Sequence, residues 1–173
     1  MNNFALKIWD DETAYVTFYT IHRENDEFSE TDKFFLKFRN NLEYKDALQQ
    51  LTSLLFNVMG EEHGANKNFF TRHENAATAL PPVKARISSL KLNYAGFPLR
   101  LYCYRINDHL VVLFNGDIKT TAAVQEDSRL ALLFNQANHY VRQIDNAFRE
   151  KIIMLETDRN IVDFQGNTEI YFT

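Results

Sequence analysis

Residues 99–115 carry the pattern that most narrows the fold. Leu99, Leu101 and Cys103 alternate with Arg100, Tyr102 and Tyr104, the period of two that a half-buried strand imposes. Asn107-Asp108 supplies turn chemistry, and Leu110-Val111-Val112-Leu113-Phe114 reads as a buried return strand. Gly116-Asp117 reads as a second turn. Asp127 then suits a helix N-cap. Leu130, Leu133, Phe134, Ala137, Tyr140, Val141, Ile144, Ala147 and Phe148 keep helical spacing to about Glu150.

The flanking segments fit the same scheme. Phe4, Leu6 and Ile8 alternate with polar or small neighbours up to Trp9, and residues 14–21 are rich in aromatic and β-branched side chains. Together they predict an N-terminal hairpin across the acidic turn Asp10-Asp11-Glu12. Residues 23–31 read as a polar loop, and Phe34, Phe35 and Phe38 suit one or two helical turns. Tyr44, Ala47, Leu48, Leu51, Leu54, Leu55 and Val58 form one apolar helical stripe, with Gly60 placed as a left-handed C-terminal cap. Residues 61–68 read as loop, with Phe69-Phe70 as a buried anchor. Pro81-Pro82 stops any helix, residues 88–94 predict a short strand, and two short β-like runs flank Gly166-Asn167 in the tail. The expected architecture is α+β: one domain over residues 1–173, mostly antiparallel sheet with helices packed on it.

Composition excludes several classes. One cysteine, Cys103, allows neither an intramolecular disulfide nor a thiolate zinc site. No stretch approaches the ~20 apolar residues of a membrane span, and the N-terminus lacks the pattern of a signal peptide. A cytoplasmic setting without membrane contact is the expectation. The net charge of −4 is unlike that of a dedicated nucleic-acid binder. It is unevenly spread, however. Residues 67–119 hold Lys67, Arg72, Lys84, Arg86, Lys91, Arg100, Arg105 and Lys119 against Glu74, Asp108 and Asp117. A basic middle between acidic flanks can attract phosphates or an acidic partner, although a mixed solvated surface has the same arithmetic.

No phosphate-binding glycine loop, paired-histidine metal motif or nucleophile elbow is present. No metal and no cofactor is called for. Cys103, in step with the leucines of its strand, reads as a small core hydrophobe. Arg100, Tyr102 and Tyr104 share the other face, where guanidinium and aromatic rings suit a phosphate beside a stacked base. Arg105 falls on the opposite parity. The alternative is that the tyrosines pack beneath a helix with their hydroxyls satisfied and that Arg100 is structural. Arg72, His73 and Glu74 form a second polar cluster, in which His73 is a candidate acid or base. A plain solvated loop is the commoner origin of such a cluster.

The order of these elements resembles the RelE/ParE toxin superfamily, and most of all its HigB-like, phage-derived branch. The resemblance rests on residues 97–148: an Arg-bearing strand with Leu99-Arg100-Leu101-Tyr102, the apolar run through Asn115-Gly116, Ile118-Lys119-Thr120, and the long helix. It implies a metal-independent, ribosome-dependent mRNA endoribonuclease held in check by a small antitoxin. Arg100 would bind the scissile phosphate, Lys119 would add a second cation, and Tyr102 would stack a base or position the sugar. Beside what the resemblance implies, the two clusters offer His73 as a further catalytic candidate and Arg72, Tyr104 and Arg105 as candidate RNA contacts. The chain departs from the family after Lys119, where Thr120, Thr121, Ala122 and Ala123 replace a further lysine and a basic-proline run. A non-catalytic binding module for an acidic protein or nucleic acid is the rival expectation.

Overall fold

The structure, a computed structural model, describes residues 3–70, 77–82, 84–87, 90–119 and 128–173. Among the described residues, ten strands and three α-helices follow in order: β1 (Phe4–Asp10), β2 (Thr17–Arg23), α1 (Glu30–Phe38), α2 (Lys45–Ser53), β3 (Thr78–Leu80), β4 (Lys84–Ile87), β5 (Leu90–Asn93), β6 (Leu99–Asn107), β7 (Leu110–Ile118), α3 (Ser128–Arg149), β8 (Ile153–Thr157), β9 (Asn160–Asp163) and β10 (Ile170–Phe172). Six strands form one sheet in the order β10-β1-β2-β7-β6-β3. Only the central β2–β7 pair is parallel; its neighbours pair antiparallel. The fold is therefore α+β, with β4–β5 and β8–β9 as separate hairpins.

Helices cover both faces of the sheet. On one, Leu99, Leu101, Cys103, Val111 and Leu113 meet Phe34 and Phe38 of α1 and Leu48 and Leu51 of α2, with Phe69 added from a short 3₁₀ turn, Lys67–Phe69. On the other, Tyr102, Val112 and Phe114 meet Ala137, Tyr140, Val141 and Ile144 of α3, while Ile153 and Ile161 bring in the β8–β9 hairpin. This explains the unbroken apolar run of β7: alternate residues serve two different cores.

Four local readings need correction. The stripe of α2 does not end at Gly60 but continues as a π-helix, Leu54–His63, ending at Gly64 with φ 72°. Gly60 instead permits close packing, since a Cβ there would lie 2.6 Å from Thr13 Cγ2. Gly116-Asp117 is not a turn but part of β7, where Gly116 pairs with Leu101 beside a bulge. The predicted strand at 88–94 is narrower, Leu90–Asn93, and pairs with β4 as a hairpin. Strands β3, β4 and β8 were not legible as strands. The Asp127 cap lies outside the described residues.

Candidate phosphate-binding site

Strand β6 sorts its side chains as period two requires. Cys103 is fully buried, and burial pushes its thiol pKa up to about 12, opposed by the Thr78 hydroxyl 3.3 Å away. That thiol is a core group and no nucleophile. On the α3 face Tyr102 is buried against Phe134, with ring centroids 5.3 Å apart. The Tyr104 hydroxyl donates to the Asp145 carboxylate of α3. Burial, reinforced by that carboxylate, raises the Tyr104 phenol well above its ordinary pKa. Both tyrosines thus lie beneath a helix, and neither presents an open ring for stacking a base.

Arg105 lies on the opposite face, as its parity predicts. Its Nε donates to the Ala65 carbonyl at 2.7 Å and its Nη2 to Asp108 Oδ1 at 2.5 Å. These bonds tie the end of the π-helix to the β6–β7 turn, so Arg105 is engaged in holding the fold. Arg72 and His73 lie outside the described residues. The described histidines stand elsewhere: His22 on the Asp26 carbonyl, His63 beside Glu62, His109 on the Tyr15 carbonyl and His139 beside Tyr140.

Arg100 and Lys119 are the two candidates that the sheet brings together. Arg100 pairs with Asp117 across the β6–β7 ladder, and the Lys119 amide donates to the Pro98 carbonyl at 2.6 Å. The two are thus diagonal neighbours, a separation on the order of 7 Å in antiparallel sheets. Arg100 is half-buried, and its Nη1 donates to the carbonyls of Phe97 (3.1 Å) and Leu99 (3.0 Å). Those bonds aim the guanidinium at the strand's start and leave Nε and Nη2 without a partner among the described residues. Burial lowers the Arg100 pKa, with Tyr102 acting the other way, but a guanidinium stays charged. The Lys119 side chain is exposed.

Two more cations, which the sequence did not single out, converge on the same end of β7. Asp117 is 3% exposed, and its Oδ2 lies 2.7 Å from Arg129 Nη2 in the first turn of α3 and 3.3 Å from Lys37 Nζ in α1. Its Oδ1 accepts the Ile118 amide at 2.8 Å. Oδ2 has close cations but no hydrogen bond of proper geometry, so the ion pairs rest on proximity alone. Lys37 and Arg129 therefore share one carboxylate, while Arg100 stands across the ladder from Asp117 and Lys119 follows two residues after it, so this end of the sheet carries more cations than anions. Arg129 is 73% exposed and Lys37 36%, so a ligand in solvent can reach both. No local sequence signal could have revealed this cluster, because its members come from α1, β6, the end of β7 and α3.

Other features make weaker sites. A cleft of about 350 Å³ lies where β10, β1 and the end of β2 meet, lined by residues including Lys7, His22, Asp26 and Tyr171. Two carboxylates on its wall are already engaged, Glu24 by Asn3 and Asp26 by Lys33. Among the described residues, no group of three or more His, Cys, Asp or Glu is placed to hold a metal ion. No helix among them is long and apolar enough to cross a membrane. No family model, curated protein or solved structure significantly matches the chain.

Proposed function

We propose that this chain is an RNA-binding module of RelE/ParE-like type that grips phosphates at the β6–β7 end. The observation that carries the reading is the pair of cations, Lys37 and Arg129, on the buried carboxylate of Asp117, with Arg100 opposite Asp117 in the ladder and Lys119 two residues after it. Local potential governs encounter with a polyanion, so the site can attract RNA although the whole chain carries −4. Arg100 offers two guanidinium nitrogens with the fork geometry that suits a phosphate, and Lys119 adds a mobile charge beside it. A small acidic antitoxin would occupy the same cations, and a cytoplasmic setting follows from such partners.

The test is fluorescence anisotropy with a 20-nucleotide single-stranded oligouridylate across a salt series. Wild type is expected to bind with log affinity falling linearly against log salt. Each lost single-strand phosphate contact lowers that slope by about 0.7, so Arg100→Gln/Lys119→Gln is expected to lower it by about 1.4. Absence of salt-dependent binding by the wild type overturns the reading.

A second reading is an mRNA endoribonuclease of the toxin kind acting on the ribosome. The adjacency of Arg100 and Lys119 favours it, because two fixed cations stabilise charge developing on a phosphate under attack. The tyrosines count against it, since Tyr102 and Tyr104 are engaged beneath α3. Growth arrest on induced expression, with new mRNA ends that vanish in Arg100→Ala/Lys119→Ala, would establish cleavage. Binding without cleavage leaves the first reading in place.

A further inference from the structure

Strands β10, β1 and β2 set three side chains in one row across the edge of the sheet. Ala5 of β1 lies directly opposite Tyr171 of β10 on one side and His22 of β2 on the other. Directly opposed residues share a face. Asn3 and Lys7 stand two residues either side of Ala5, so the period of two gives them that face as well. All five line the cleft of about 350 Å³ at this end of the sheet. Ala5 is buried and forms the floor, with only a methyl group between two ring-bearing neighbours. Tyr171 and His22 are two strand spacings apart, about 10 Å between Cα atoms. One flat ring in contact with both walls takes about 7–8 Å, so the slot admits a single planar group.

The walls are held by bonds made behind them. His22 Nε2 meets the Asp26 carbonyl at 2.8 Å, Asn3 Nδ2 donates to Glu24 Oε2 at 2.9 Å, and Asp26 is paired with Lys33. These bonds use one polar end of each wall side chain and leave another. His22 Nδ1, Asn3 Oδ1, Lys7 Nζ and the Tyr171 hydroxyl have no hydrogen-bond partner among the described residues. Tyr171 is 72% exposed, so its ring is open to a ligand.

Charge and hydrogen bonding narrow the ligand class. Lys7 and Arg23 on the cleft wall are matched by Glu24 and Glu169, and Lys33 neutralises Asp26. With neither sign in excess, the cleft suits a neutral ring better than a free anion. A plain phenyl group would stack there but leave the donors and acceptors of the wall unpaired, which is unfavourable once they are covered. A ring with an acceptor on one edge and a donor on the other satisfies Lys7 and Asn3 together. Nucleobases have that combination.

We propose that this cleft binds a nucleobase, stacked between Tyr171 and His22 over Ala5, with Lys7 donating to one edge and Asn3 Oδ1 accepting from another. The site is separate from the cations around Asp117 and does not rest on the phosphate-binding reading. The base has two possible sources, a free nucleoside or nucleotide and an RNA strand.

The experiment follows the amide NMR spectrum of the full chain as adenosine, guanosine, cytidine and uridine are each titrated to millimolar concentration. At least one is expected to give saturable shifts at Ala5, His22 and Tyr171. Tyr171→Ala, at an exposed position, is expected to keep the wild-type melting temperature and to weaken that nucleoside about tenfold, as loss of one stacking ring does. Ala5→Leu fills the slot and is expected to abolish the shifts. Tyr171→Ala decides the matter alone if Ala5→Leu does not fold. Toluene, which stacks but has no polar edge, is expected not to compete; equal binding by toluene makes the cleft a plain apolar slot and overturns the proposal. A single-stranded RNA homopolymer of the preferred base identifies the source. Weaker RNA affinity in Tyr171→Ala at an unchanged salt slope assigns the base to RNA, and unchanged affinity assigns it to a free nucleoside or nucleotide. No saturable shift with any of the four nucleosides overturns the proposal, whereas a wild type that fails to bind oligouridylate overturns only the phosphate reading.

Discussion

Gly116 lies so close to Arg100 that a Cβ at position 116 would fall 1.9 Å from the Arg100 carbonyl oxygen. Strands β6 and β7 can pass at this point only because the residue between the bulge and Asp117 has no side chain. The contact joins fold to site, since it sets the spacing at which Arg100 faces Asp117 and precedes Lys119. Gly116→Ala is expected to force the backbones apart at a cost of about 3 kcal/mol, at the upper end of overpacking penalties. A lower urea midpoint, with weaker RNA binding in the fraction that remains folded, checks this.

Tyr102 and Tyr104 are placed as structural groups, and substitution should separate stability from binding. Tyr102→Ala removes a ring from the α3 core and is expected to cost about 3 kcal/mol. Tyr104→Phe removes the hydroxyl that meets Asp145 and is expected to cost about 1–2 kcal/mol, as for a hydrogen bond to a charged group. Folded Tyr104→Phe is expected to bind oligouridylate as wild type does. A tenfold loss of affinity at full folding would return Tyr104 to the binding surface.

Asp117 offers a test in which stability and binding move in opposite directions. Asp117→Asn removes the carboxylate that Arg129 and Lys37 approach, at an expected cost of about 2 kcal/mol for lost charge-assisted contacts. It also leaves Lys37 and Arg129 without their counter-charge. Tighter RNA binding and a steeper salt slope are expected alongside the lower melting temperature. Weaker binding by the folded variant would mean that Asp117 positions the cations more than it neutralises them.

Acid sensitivity is expected from the loop before α1. The hydrogen bond from Lys33 holds the Asp26 carboxyl below its ordinary pKa, against the opposing effect of burial. A depressed carboxylate contributes stability that is fully present above the unfolded value near 3.9 and is lost as pH falls through the folded value. Wild type is therefore expected to lose urea resistance below about pH 4, and Asp26→Asn to lose less over the same interval. For Lys33, burial alone would lower the pKa, but its bonds to Asp26 and Glu30 outweigh burial and raise it. Its contribution is present below the unfolded value near 10.4 and is lost only as pH rises through the folded value above it. Stability curves for the two proteins that run parallel through the acid range would remove Asp26 from this role.

What the sequence by itself determined is local. The alternation of Leu99, Leu101 and Cys103 with Tyr102 and Tyr104 placed two faces on β6, and both faces are observed. The spacing from Leu130 to Phe148 likewise located the apolar face of α3. These patterns are legible because a strand repeats every two residues and a helix every 3.6, whatever lies around them. The tertiary structure decided what each face meets. Tyr102 and Tyr104 looked equally fit to stack a base or to pack under a helix, and only the position of α3 selects the second. The role of Gly60 was equally hidden, because a glycine that ends a helix and one that admits Thr13 look alike in sequence. The cation cluster was not legible at all. Lys37, Asp117 and Arg129 are separated along the chain and meet only because α1, β7 and α3 converge there, and charge attraction across a fold leaves no period in the sequence.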